Sequence, residues 1–195
     1  MKGWRHFRKA QGGLAAVEFA LLLPVMITLF FGTVELSLAL LCRADVSIMA
    51  STASDLIAQE STTQTSDISN VYSAAGTVLY PYYNPATTGS QAPTIRITSI
   101  AYDPTTNSTT SGKVAWTCTQ SGSGTLSPAT RSAGATVTLP QAIMATNSSV
   151  IMAEIAYNYV SPTTKVITGP VNMTNVWYTK PRRVLQIPSP SGGCP

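Results

Sequence analysis

Three features of the chain predict an α+β fold: a long N-terminal transmembrane and stalk α-helix, then a short helix, then a small antiparallel β-sheet head. An apolar run extends from Leu14 to Leu41, interrupted by charge only at Glu18 and Glu35. Beyond Arg43 the run gives way to apolar residues at helical spacing. From Pro93 onward the chain turns to β-branched, partly alternating segments separated by Gly, Ser, Thr, Pro and Asn.

The elements follow in order. Residues 1–13 form a basic leader, with Lys2, Arg5, Arg8 and Lys9. Residues 14–60 read as one helix. Its first part is apolar all round, as a membrane segment should be. Its second part carries Val46, Met49, Ala50, Ala53, Leu56 and Ile57 on one side and Asp45, Thr52, Asp55 and Gln59 on the other. A helix of that length reaches ~70 Å, about twice a bilayer core. Pro24 removes a backbone donor and predicts a kink near Ala20, and Gly32 permits a close neighbour.

Residues 61–195 form the extracytoplasmic head. The polar stretch 61–66 breaks the helix, and Asp67 is placed to cap a second one through about Leu79, with Ile68, Val71, Ala75 and Leu79 on its apolar side. Strands are expected at 94–102 and 112–119, as a hairpin, and at 150–160. In the last of these Ile151, Ala153, Ile155, Tyr157 and Tyr159 share a face. Val166-Ile167 and Val171 to Thr179 are expected to add two more, whereas 121–135 reads as loop and 189–195 as turn.

The chain has 195 residues and a net charge of +4, with a pI near 9.1. The excess lies in the leader, so the rest is formally neutral and has no basic stripe to follow a nucleic acid backbone. Four basic residues before the apolar run, against Arg43 beside Asp45 after it, predict a cytoplasmic N-terminus and a head on the far side. A removable secretory signal competes, since Ser37-Leu38-Ala39 has a small-x-small form. Its apolar core should span only ~7–15 residues, however, and this one is longer and holds two glutamates.

The leading segment resembles the TadE-like family of pseudopilins, of the bacterial tight-adherence (Flp, type IVc) pilus systems. The resemblance rests on Gly13-Leu14-Ala15-Ala16-Val17-Glu18-Phe19-Ala20-Leu21, on Leu23-Pro24, on Phe31-Gly32 followed by Glu35, and on the small residues from Ala50 to Ala53. Looser likenesses fall at Val114-Ala115-Trp116, Leu139-Pro140, 153–159 and Pro181-Arg182. It implies a minor pseudopilin cut by a prepilin peptidase between Gly13 and Leu14. Such a protein takes part in pilus assembly or tip formation for surface adherence. Its partners would be that peptidase, the major Flp pilin, other minor pseudopilins, the inner-membrane secretion platform and the lipid bilayer. The implied location is the bacterial inner membrane, single-pass with the head periplasmic, or the cell surface within a pilus. The alternative is an unprocessed single-pass inner-membrane scaffold of the same machinery.

The residues themselves support particular roles. A residue without Cβ, Gly13, lets a protease approach the backbone. Gly12 is the second candidate, and a flexible glycine pair before a helix is the plain alternative. Cleavage after Gly13 makes Glu18 the fifth residue, and a carboxylate inside lipid is costly without a partner. The new amine on Leu14 of a neighbouring subunit would provide one and set axial register. Otherwise Glu18 snorkels to the interface. Glu35 lies ~26 Å further along the helix, near the far interface, where water can solvate it. Phe19, Pro24, Gly32 and Glu35 complete the assembly set. Pro24 and Gly32 read as determinants of helix shape.

Cys118 and Cys194 face an oxidising compartment and are a candidate disulfide that staples the tail to the sheet, although three cysteines allow three pairs. Cys42 is then the unpaired one. The single histidine, His6, lies in the leader, so no metal site or cofactor is expected. Scattered acids and the lack of a candidate base give no grounds for an enzyme. The eight tyrosines read as core and turn packing or as a contact surface.

Overall fold

A computed structural model describes residues 12–84, 91–140 and 142–195. Residues 1–11, with Lys2, Arg5, His6, Arg8 and Lys9 of the expected leader, lie outside the described residues. The elements are helix α1 (Gly12–Ala58), helix α2 (Thr65–Gly76) with a closing 3-10 turn, and strands β1 (Thr94–Ala101), β2 (Ser111–Gln120), β3 (Thr136–Thr138), β4 (Ser149–Tyr159) and β5 (Val171–Thr179). The strands form one antiparallel sheet in the order β3-β2-β1-β4-β5. The fold is α+β, as the sequence predicts.

Contacts divide the chain into two compact units. One holds the described residues up to Ala39 together with Val160–Gly169; the other holds Leu40–Tyr159 and Pro170–Pro195. The amphipathic half of α1 falls in the same unit as the sheet. Its buried side is Cys42, Val46, Met49, Ala50, Ala53, Ser54, Ile57 and Ala58. These positions recur every three or four residues and form one stripe. Ser54 of that stripe meets Thr179 of β5 through their hydroxyls at 3.0 Å.

Both faces of the central strands β1 and β4 are buried. Register places Ile95, Ile97, Ile151, Ala153 and Ile155 on the face shared with Thr179, the side of α1. Tyr157 and Tyr159 continue this face: Tyr157 donates to the Tyr82 carbonyl at 2.9 Å, and the Tyr159 ring stands edge-on to Tyr82. Burial pushes the Tyr157 hydroxyl up to about 12. The opposite face has its own apolar cluster of Ile100, Val114, Val137, Leu139, Met144, Val150 and Met152. A bulge makes this possible. Ser99 pairs with Trp116 but Ile100 pairs with Val114, so Ala115 is the extra residue and β2 changes face there.

Several expectations need correction. Asp67 does not cap α2 from outside; the helix begins at Thr65, and Asp67 in its first turn accepts the Gln64 N–H at 2.8 Å. Leu79 lies in the 3-10 turn and not in the helix. Strand β3, on the edge beside β2, was not expected. Val166-Ile167 is not a strand but part of an irregular loop, because its backbone N–H groups are directed at a carboxylate and not at a neighbouring strand.

Candidate functional site

The start of α1 carries the residues singled out for processing and assembly. Gly13 lies in its first turn, and a Cβ there would meet nothing within 4 Å. Glu18 and Phe19 are exposed, as is nearly every described side chain from Ala15 to Phe30. Among the described residues none forms an ion pair with Glu18. The helix is long and apolar enough to cross a membrane, and its most apolar window is wholly unburied. Pro24 lies inside the helix, which continues past it. Hydroxyls in this stretch bond back to the helix: Thr28 donates to the Pro24 carbonyl, Thr33 to Phe30 and Ser37 to Thr33, each at 2.8 Å. That satisfies them without water, as an apolar surrounding demands.

Glu35 has a more definite role than solvation at an interface. It is fully buried, and all its acceptor capacity is used by the loop between β4 and β5. Thr163 donates its hydroxyl to Oε1, joined by the backbone N–H of Lys165 at 2.8 Å. The N–H groups of Val166 and Ile167 donate to Oε2 at 3.1 and 2.6 Å. Thr164 has a φ of +49°, a conformation a β-branched residue rarely takes. That residue directly precedes three N–H groups that converge on one anion. One helical turn earlier, Gly32 faces the same loop: a Cβ on it would stand 3.9 Å from the Val166 side chain. That is ordinary van der Waals contact, so a methyl group would fit at this position. The neighbour is the protein's own loop.

The sequence reading missed an ionic cluster on the sheet face opposite α1. Arg96 and Glu154 are direct partners across β1 and β4. Arg96 Nε donates to Glu154 Oε2 at 2.7 Å, with both side chains essentially unexposed. Arg131, from the loop 121–135, grips the same carboxylate with two bonds of 2.8 Å. The second arm of Arg96 donates to the carbonyls of Pro128 and Ala129 at 2.8 and 3.0 Å. Burial pushes the Glu154 carboxyl up, but the bonds from Arg131 and Arg96 prevail and hold it below the usual range. The cluster fastens a Ser- and Gly-rich loop to the sheet. Its sequence signal was available: Arg96 and Glu154 are the only charges in two otherwise uncharged strands.

Cys118 and Cys194 form a disulfide with a Cα–Cα separation of 5.3 Å, and Cys42 is free and buried. The tail is held further by Trp116, whose Nε1 donates to the Ile187 carbonyl at 2.9 Å, and by Ser191, which bonds to Thr63 and Thr65. Tyr72, Tyr157 and Tyr159 are buried, whereas Tyr80 is exposed. Among the described residues no group of His, Cys, Asp and Glu could hold a metal ion.

Residues 13–55 match the family model described as TadE-like protein, the resemblance drawn from Gly13, Glu18, Pro24, Gly32 and Glu35. No curated protein and no solved structure matches the chain.

Proposed function

We propose that this chain is a minor pseudopilin of a tight-adherence pilus, trimmed after Gly13 and assembled through the N-terminal half of α1. The family match links the chain to that pilus system. The observation that carries the reading is the exposed Glu18, without an ion-pair partner among the described residues, five positions after Gly13 within an unburied apolar helix. A lone carboxylate there is costly in lipid. An ammonium on Leu14 of an adjoining subunit would offset that cost and fix the axial stagger between helices.

Each part then has its task. The peptidase removes the leader and creates the ammonium. The exposed apolar half of α1 holds the chain in the inner membrane until it packs with the major pilin and other minor pseudopilins on the secretion platform. The sheet head, braced by the disulfide, is the part presented at the periplasmic side or the fibre tip, in a non-enzymatic role that serves adherence.

The test is the Gly13→Trp variant expressed beside the wild type in the native host. Wild type should lose its leader and the variant should keep it, seen as a retained mobility difference and a mass that includes residues 1–13. Cleavage of the variant at the same bond would remove the peptidase from the account.

A further inference from the structure

We propose that the loop between β4 and β5 is a membrane-interface element, held by Glu35 against α1 so that Val166 and Ile167 enter the head-side leaflet. The inference rests on α1 crossing the bilayer, and its occupant is the lipid of that same bilayer.

The depth follows from the helix. Residues 14–34 rise ~31 Å, the thickness of a hydrocarbon core. Glu35 therefore marks the boundary, and Gly32 lies one turn inside it. The loop meets the helix at both levels, through the four bonds to Glu35 and through Val166 beside Gly32.

The chemistry fits that depth. Irregular backbone is tolerated near hydrocarbon only if its N–H groups are paired within the protein. Three consecutive ones here are paired with a single carboxylate. A carboxylate at the boundary is likewise tolerated because its oxygens are filled by donors. Val166 remains 49 % exposed, an apolar side chain continuous with the exposed apolar helix. Lys165 beside it is exposed, and its ammonium can reach lipid phosphate while its stem lies along the interface. The loop therefore carries an apolar tip and a cationic shoulder, the pairing that a bilayer surface selects.

The experiment uses the full chain in vesicles of phosphatidylethanolamine and phosphatidylglycerol, on a Cys42→Ala background. A polarity-sensitive fluorophore is placed on Val166→Cys, on Lys165→Cys or on Leu23→Cys. Nitroxide lipids report lipid contact and iodide reports water. The Leu23 probe should be quenched by nitroxide lipid alone. The Val166 probe should show blue-shifted emission and quenching by a headgroup-proximal nitroxide, and the Lys165 probe should respond to both quenchers. Adding Glu35→Ala should red-shift the Val166 probe and open it to iodide while the Leu23 probe is unchanged. Iodide quenching at Val166 with lipid quenching at Leu23 would overturn the loop assignment and leave the membrane helix standing. Iodide quenching at Leu23 would overturn the membrane helix itself. Unchanged Val166 emission in Glu35→Ala, and in the milder Thr163→Val, would overturn the role given to the carboxylate.

Discussion

Replacing Glu154 by Gln should be among the most damaging isosteric changes available in the head. The carboxylate accepts three charged bonds, at 2.7, 2.8 and 2.8 Å, from Arg96 and Arg131. The two arginines differ in their means of escape. Arg131 retains 16 % exposure and can swing into water, whereas Arg96 has none. The cost is therefore set mainly by one guanidinium left buried without its anion. Breaking a buried pair from one side costs about 3–5 kcal/mol, a large share of the ~5–15 kcal/mol that holds a typical domain together. A thermal midpoint lowered by roughly 6–20 °C follows from the size of the unfolding entropy.

Replacing both Arg96 and Glu154, as Arg96→Met with Glu154→Leu, removes the charges together and should cost clearly less than Glu154→Gln alone. The assay is thermal unfolding of the full chain in detergent, followed by tryptophan fluorescence, since Trp116 lies against the tail. Equal stability of Glu154→Gln and wild type, within about 1 kcal/mol, would refute the reasoning. So would a double variant worse than the single one.

Further outcomes follow from the same structure. Because the Glu154 carboxyl lies below its ordinary range in the folded state, its contribution is present above the unfolded value of ~4.3 and is lost as pH falls through the lower folded value. Wild type should therefore lose stability in that acid window more steeply than Glu154→Gln, as read from midpoints across a pH series. Cys194→Ser opens a closure of 76 residues and should cost about 4 kcal/mol by chain entropy, measured by denaturant unfolding against reduced and oxidised wild type. Gly124→Ala would bring a Cβ to 2.1 Å from the Ala156 backbone, so the loop must shift, at ~1–3 kcal/mol. Thr164→Asn retains a polar residue but accepts the left-handed backbone more readily, and should raise stability by about 1 kcal/mol in the same thermal assay.

Periodicity made the large elements readable. The helical stripe from Val46 to Ile57 and the alternation in β4 reflect burial on one side, and burial leaves a pattern. What escaped had other causes. Strand β3 has only three residues and one buried side chain, Val137, too little to show a period. Val166-Ile167 is β-branched, which signals strand locally. Its backbone instead pairs with Glu35, 131 and 132 residues away, and no local rule contains that contact. Asp67 was recognised as a capping residue but placed at the wrong position, because the same side chain can bond from the cap or reach back from the first turn. The burial of Glu35 was missed for a related reason: a carboxylate near an interface has water as its default partner, and only the folded loop provides a better one. Arg96 and Glu154 were readable in principle, since opposite lone charges in adjacent strands are a pairing signal.

The most direct measurement is the N-terminal residue of the protein recovered from its own cell envelope, read by intact mass and terminal sequencing. A chain beginning at Leu14, with Glu18 fifth, is the predicted result. A chain that still carries Lys2 through Gly13 would contradict the account, because no ammonium would then stand at the height of Glu18 to receive it.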